Sequence, residues 1–432
     1  MIERFKTYRK SKDFSKILFN TFWLMGEKVV RLAVSLFIGV WVARYLGADQ
    51  YGIYSYALSF SILFGALASF GIDGIIVRDL VKHEEKTDFL LGTAFCLKFL
   101  GGLLSFFIAV VVLFFIETDT YIKSLIFILV GSTIVKSFNV IDFYFQSKVL
   151  SKYVVTANTY SLFLSSLIKV ALILMEAPLI AFVLVLLFDS ITVSLGFLYY
   201  YKREKLSIWK WKVDVSLAKD LLKESWPLIL SGLAISVGMR IDQIMLKEFV
   251  PANQLGFYAV GVRLAELFSF IPMVITQSIF PKIVSIDFSS EKRKLGNLIR
   301  YIFYPLCLMA LFVCLVGEFT VNLLYGQEFA SSSSVLLILI WTIPVTYLGI
   351  ITNKLIMVQG HQKIIFMKQL VLTLMNIGLN LYLIPRYGIV GAAWATLLAD
   401  IFVNLFIDVV FNKARWIYFL KMKALFFINL AK

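Results

Sequence analysis

Among the basic residues inside long apolar stretches of this chain, Arg31, Lys136, Lys169, Arg240 and Arg263 are the candidates for chemistry. A charge at the centre of a membrane span costs roughly 2.5–3.5 kcal/mol on insertion scales, so such groups face a protein interior or a wet cavity. They outweigh the nearby acids Glu27, Asp242 and Glu266. A net positive cavity suits an anionic ligand, and arginine suits phosphate best because its planar fork bonds two oxygens. Glu27, Asp242, Glu266 and Asp400 are expected to balance this charge or to couple movement to an ion, H+ or Na+. No other cofactor is expected. Cys96, Cys307 and Cys314 show neither CxxC nor metal spacing and read as packing residues; His83 and His361 fall in loops and define no metal site.

Helical spacing shows which faces are polar. Glu27, Arg31 and Ser35 step by four, with Glu27 before Arg31, the favourable order for an ion pair. Lys136, Asn139, Asp142 and Gln146 form a stripe, as do Asn158, Ser161, Ser165 and Lys169. Ser236, Arg240, Gln243 and Lys247 form another, with Asp242 on a different face. Arg263 and Glu266 are one turn apart; Gln369, Thr373, Asn376 and Asn380 align, and so do Thr396, Asp400, Asn404 and Asp408. Interhelical hydrogen bonding accounts for the Ser, Thr and Asn positions taken singly. A water-filled central cavity accounts for all the stripes together. Pro272, Pro305 and Pro344 fall within spans and are candidate hinges or static kinks.

The elements that must position these residues are membrane helices. Hydrophobic residues make up 60% of the 432 residues and charged ones 16%, against about 25% charged in a soluble domain. Mean hydropathy is +0.86. Twelve spans of about 20 apolar residues are predicted: 17–43, 51–76, 89–116, 121–145, 154–175, 178–201, 225–246, 256–281, 301–317, 334–357, 364–384 and 389–411. The apolar stretch of the ninth can run on to Tyr325. The first is too long for a signal-peptide core and reads as a retained helix.

The net charge of +15 is no nucleic-acid signal, because the basic residues lie in alternate loops. Twenty-nine of the 42 Lys and Arg fall on one side of this arrangement. Only Arg44, Lys247 and Arg386 fall on the other, and the remaining ten lie within spans. That bias predicts both termini on the cytoplasmic side of a cytoplasmic (inner) membrane. The loop 202–224, with Trp209 and Trp211 among lysines, is expected to lie on anionic head groups, and the tail after 411 on the membrane surface.

The chain also repeats itself. Leu46-Gly47-Ala48-Asp49-Gln50-Tyr51-Gly52-Ile53-Tyr54 returns as Val250-Pro251-Ala252-Asn253-Gln254-Leu255-Gly256-Phe257-Tyr258, an offset of 204 residues. Six spans per half is an even number, so the halves face the same way and the repeat is parallel. The expected fold is an all-α polytopic membrane protein of about twelve helices in two six-helix lobes. Its domains are an N-terminal lobe (1–201) with a basic cytoplasmic arm, a basic connector (202–224), a C-terminal lobe (225–411) and a basic amphipathic tail (412–432).

Arg44 to Tyr54, then Gly71-Ile72-Asp73-Gly74 with Arg78, resemble the start of polysaccharide transporters, which include O-antigen and capsule flippases. Arg240-Ile241-Asp242-Gln243-Ile244-Met245-Leu246 and Gly256 to Arg263 are similar to that family's seventh and eighth spans, and Tyr387 to Thr396 to its last. The resemblance implies a lipid-linked oligosaccharide flippase of the multidrug/oligosaccharidyl-lipid/polysaccharide superfamily. It would carry an undecaprenyl-pyrophosphate-linked repeat unit outward by alternating access. Arg31 and Arg263 are the cavity arginines it points to. The partners it implies are the lipid-linked oligosaccharide, membrane lipids, glycosyltransferases and a polymerase of the same pathway. The chain is too short for the two extra helices common in the lipid II branch.

Two rival functions remain at this stage. An ion-coupled drug or cation exporter of the same superfamily would want an acidic cavity. A membrane-bound polysaccharide polymerase or ligase would need a large outer loop, and the longest, 318–333, is short. No enzyme activity is expected.

Overall fold

In hydrocarbon every backbone N–H and C=O must be satisfied within its own segment, which a helix does and an isolated strand does not. The computed structural model describes residues 12–284 and 292–426, and these form helices with no strand among them. Parts of the basic segments expected on one face, residues 1–11, 285–291 and 427–432, lie outside the described residues.

Ten described stretches are long and apolar enough to cross a bilayer. The two longest, Met25–Lys82 and Gln362–Val409, run to 58 and 48 residues. An unbroken 58-residue helix would be about 87 Å long, nearly three times the hydrocarbon core. Each is broken by a glycine in a conformation closed to helix: Gly47 (φ 70°, ψ 173°) in α1 (Lys12–Ala68) and Gly388 (φ 55°, ψ −132°) in α13 (Gln362–Ile401). Each stretch therefore holds two crossings, which makes twelve.

The residues group into two compact units. The first comprises the described residues of 1–45 with Ala57–Ser236; the second comprises Leu46–Tyr56 and the described residues from Val237 onward. In the first unit, α2 (Asp73–Lys82), α3 (Thr87–Phe115), α4 (Thr120–Val135), α5 (Val140–Ser147), α6 (Ser151–Leu174) and α7 (Leu179–Arg203) follow the start of α1. Ile72, Ile76, Leu91, Val140, Phe145 and Tyr201 are central to its core. The fourth crossing is interrupted by a tight 3₁₀ turn, Lys136–Asn139, which separates α4 from α5.

Two residues of the connector are tied into the first unit. The Trp211 indole donates to the Tyr201 hydroxyl at 3.0 Å and its ring lies 5.5 Å from Phe95. The Lys212 N–H donates to the Asp88 carbonyl at 3.1 Å, and a Cβ on Gly92 would lie 2.4 Å from the Lys212 oxygen. Trp211 is therefore a protein-packing residue. Only Trp209 stays outside, 92% exposed.

The second unit takes the end of α8 (Val215–Phe249), then α9 (Ala252–Val284), α10 (Lys292–Tyr325), α11 (Ser332–Leu339), α12 (Thr342–Val358), α13 and α14 (Arg415–Leu425). The ninth crossing does run on to Tyr325. Pro344 occupies the first turn of α12, where no intrahelical N–H bond is lost, so it makes no mid-span kink. Pro305 lies inside α10.

The tail helix α14 is not simply a surface element: Ile417, Leu420, Lys421 and Ala424 are buried. A π-helical turn at Phe402–Phe406 leaves the Asn404 carbonyl free to accept from Lys421 Nζ at 2.5 Å. Lys421 and Lys368 both reach Asp408, at 2.6 and 2.8 Å. Burial pushes the Lys421 ammonium down to about 8, against the pull of Asp408. Arg300 and Tyr304 donate to the carbonyls of Ala424 and Leu425, closing the last turn.

Candidate functional site

The two copies of the repeat meet. A Cβ built on Gly52 would lie 2.0 Å from the Ala252 carbonyl oxygen, and one on Gly256 would lie 2.0 Å from the Ala48 carbonyl oxygen. Ala48-x-x-x-Gly52 thus crosses Ala252-x-x-x-Gly256 reciprocally, a small-xxx-small contact in which each glycine receives the other helix's backbone. Glu328 secures one side of the crossing. Its Oε1 accepts from the Ala48 N–H at 2.6 Å, at the helical start that follows the Gly47 break. A carboxylate there satisfies an orphan donor and complements the helix dipole. Phe329, fully buried, sets its ring edge-on to Tyr51 and Phe257.

Below the second copy lies a directed chain of hydrogen bonds. Asn380 Nδ2 donates to Asn376 Oδ1 at 3.0 Å, and Asn376 Nδ2 donates to Thr396 Oγ1 at 3.2 Å. The Thr396 hydroxyl bonds Tyr258, and the Tyr258 hydroxyl donates to Asp242 Oδ2. The Gln243 N–H donates to the other Asp242 oxygen at 2.9 Å. Asp242 and Tyr258 are buried. Local sequence allows this at two points. Gly238 leaves room beside Thr373 and Gln369 for α8 to approach α13, and the Asn376 and Asn380 stripe faces Thr396 across the Gly388 break. A buried carboxylate at the end of such a chain can bind a proton or a small cation while its hydrogen bonds stay in place.

The predicted cations divide by partner. Arg240 Nη2 lies 3.0 Å from Glu266 Oε1. Arg31 Nε donates to Glu27 Oε1 at 2.6 Å, as their spacing predicts. Lys136 is beside Asp189, whose Oδ1 accepts from Ser161 at 2.6 Å. Lys169 has an interaction partner. Arg263, half-buried, has no ion-pair or hydrogen-bond partner among the described residues; Tyr51, Tyr54 and Tyr325 surround it. Asp400 accepts from Asn404 at 3.3 Å and stands apart from the Asp242 chain's bonds.

A family model described as "Polysaccharide biosynthesis protein" matches residues 17–287, more than half the chain. The chain belongs to the polysaccharide biosynthesis protein family. A probable flippase, AglR of Haloferax volcanii, is 30% identical over 169 residues, 37% of this chain and 35% of AglR. The chain spans less than half the length of the curated relatives it matches. Among solved structures, an inward-facing multidrug resistance transporter of the MATE family superposes with TM-score 0.74 at 17% identity, covering 91% of this chain and 96% of that one. The lipid II flippase MurJ in an inward closed conformation superposes with TM-score 0.69 at 15% identity, covering 95% and 91%. These likenesses show a shared multi-pass helical fold.

Within this polysaccharide biosynthesis family member, the first unit holds Glu27, Arg31, Lys136 and Lys169, and the second holds Arg240, Asp242, Arg263, Glu266 and Asp400. Glu266 pairs with Arg240, although Arg263 lies one turn away from it on the same helix. Sequence reasoning missed Tyr258 and Glu328 as site residues. Tyr258 carries a signal in being one of the repeat's identities; Glu328, in a short loop, carries none.

Proposed function

We propose that the chain is a flippase for an undecaprenyl-pyrophosphate-linked oligosaccharide, an O-antigen, capsule or exopolysaccharide repeat unit. It works in the cytoplasmic membrane with both termini inside. The observation that carries this reading is the guanidinium of Arg263, within a membrane crossing and without an ion-pair or hydrogen-bond partner among the described residues. An arginine kept at that depth with no acid or acceptor bonded to it among the described residues is held for an anion that arrives. The family supports a glycan pathway, and a named flippase stands among both the relatives and the structural neighbours.

In this mechanism the pyrophosphate engages Arg263, with Arg31, Arg240, Lys136 and Lys169 making its path cationic. The lipid tail stays in the bilayer, and alternating access exposes the head group to the outer side. A head group with about two negative charges gains roughly 4–5 kcal/mol moving outward across about 100 mV, inside negative. The Asp242 chain is the ion-coupling element, resetting the empty protein by binding H+ or Na+. Glycosyltransferases and a polymerase of the pathway would supply and consume the cargo.

Flipping of undecaprenyl-pyrophosphate oligosaccharide in proteoliposomes tests this. Wild type should flip and Arg263→Gln should flip roughly 10- to 100-fold more slowly; equal rates for the two sink the assignment. The second reading, an ion-coupled drug or cation exporter, is favoured by the superposition on a multidrug transporter. It predicts cation export that survives Arg263→Gln, with no glycolipid movement.

A further inference from the structure

The connector between α7 and α8 ties most of its acids into the protein and leaves five of its lysines exposed. Glu204 accepts from the Tyr153 hydroxyl at 2.7 Å. Asp214 caps α8, accepting from the N–H groups of Ser216 and Leu217 at 2.8 and 3.2 Å. Both oxygens of Glu224 accept from Arg78. Of the connector's acids and those opening α8, Asp220 alone has no such bond. By contrast Lys202, Lys205, Lys210, Lys219 and Lys223 are exposed, and none has a side-chain partner among the described residues. The local surface is therefore far more cationic than its composition.

An aromatic residue stands in the middle of these lysines. Trp209 is 92% exposed on the 3₁₀ turn Ile208–Lys210, whose Ser207 hydroxyl accepts from the Trp209 N–H at 3.3 Å. The turn is held from below. Trp211 is packed inward, Lys212 is bonded to Asp88, and the Asp214 N–H donates to Thr93 Oγ1 at 3.0 Å. Lys205 takes the left-handed position closing α7 (φ 61°), which a glycine would adopt with less strain. Val213, Val215 and Trp226 are exposed alongside. Both flanking helices are membrane crossings, so this fixed turn lies at head-group level.

We propose that the connector is a binding surface for the anionic phospholipids of the surrounding bilayer. Trp209 enters the interface, and Lys202, Lys205, Lys210, Lys219 and Lys223 hold lipid phosphates. Free lysines around one indole fit lipid better than a protein partner, because protein interfaces are depleted in lysine and a bilayer surface attracts it. This surface is independent of the transport reading.

The test uses the full-length protein in detergent with phosphatidylglycerol or phosphatidylcholine, read by native mass spectrometry. Wild type should retain phosphatidylglycerol in preference. Lys205→Gln/Lys210→Gln should lower that retention about tenfold or more. The matched control Lys363→Gln/Lys413→Gln, exposed lysines of the second unit, should not. In nanodiscs of brominated phosphatidylglycerol, Trp209→Phe should remove part of the tryptophan quenching. Equal retention of the two lipids, unchanged retention in the connector variant, or unchanged quenching overturns the proposal. Should the variant fold poorly, wild type in about 0.5 M salt serves instead: screening should strip the bound lipid, and persistence under salt overturns it.

Discussion

The two copies of the repeat do the same work at their small residues and different work everywhere else. Ala48 and Gly52 cross Ala252 and Gly256 symmetrically, each glycine against the other copy's carbonyl. The closing tyrosines diverge: Tyr258 donates to Asp242, whereas Tyr54 is half-buried beside Tyr51 and Arg263. The charged neighbours diverge with them. At the repeat's offset of 204 residues, Arg240, Asp242, Arg263 and Glu266 correspond to Leu36, Ile38, Ser59 and Ile62. Among the shared positions, the alanines and glycines are those where backbone touches backbone. The differing positions are those where charge is kept in the bilayer, so one copy of a common crossing holds the charged residues to which the proposed function assigns ion and anion binding.

The comparison is broken most severely at the glycines. Gly52→Ala and Gly256→Ala should each cost about 3 kcal/mol, because the new methyl meets a backbone oxygen and no side chain can move aside. Thermal melting in detergent reads this, with Gly378→Ala as the reference, since nothing lies within 4 Å of its added Cβ. A near-neutral Gly256→Ala would mean the crossing is not the seat of the repeat. Next is Arg263→Gln, which should slow glycolipid flipping roughly 10- to 100-fold, the worth of a charge-assisted contact. Its melting temperature should stay at the wild-type value, because Arg263 has no ion-pair or hydrogen-bond partner to lose among the described residues; a large drop would show a structural role instead.

Tyr258→Phe and Tyr54→Phe test the divergence directly. The first removes a donor from a buried carboxylate and should cost about 1–2 kcal/mol, while the second leaves no acid unpaired and should cost less. Asp242→Asn should keep the fold and abolish any dependence of flipping on an imposed proton or sodium gradient. Persistence of that dependence would move ion coupling to Asp400 or Glu27. The smallest effect is expected at Glu328→Gln, which keeps an acceptor for the Ala48 N–H but loses the charge at the helix start, about 0.5 kcal/mol. Equal melting of this variant and Glu328→Ala would show that the cap contributes nothing.

Much of the site was legible along the chain where its geometry is local. Glu27 and Arg31 are four residues apart, and helix periodicity alone brings them together. The stripe of Asn376 and Asn380 and the separate position of Asp242 likewise follow from 3.6 residues per turn. Arg240 with Glu266, Tyr258 with Asp242, and Lys421 and Lys368 with Asp408 were not legible. Each joins residues 13 to 40 positions apart through the packing of different helical segments. Loop charge misled for Lys421 and Trp211: a lysine or tryptophan next to a span fits the interface by composition, and only a buried acid or hydroxyl opposite it draws it inward.

By itself the sequence determined that the chain spans a membrane as helices, how many times it crosses and that its halves are related. Those properties rest on segment length, hydropathy and backbone hydrogen bonding, which are local. Tertiary structure alone decided which acid neutralises which cation across helices, and that the two copies of the repeat lock into one another. It also decided that one carboxylate ends a chain of donors. Ion pairing and close approach depend on which helix faces share a boundary, and a helical period specifies a face without naming its neighbour.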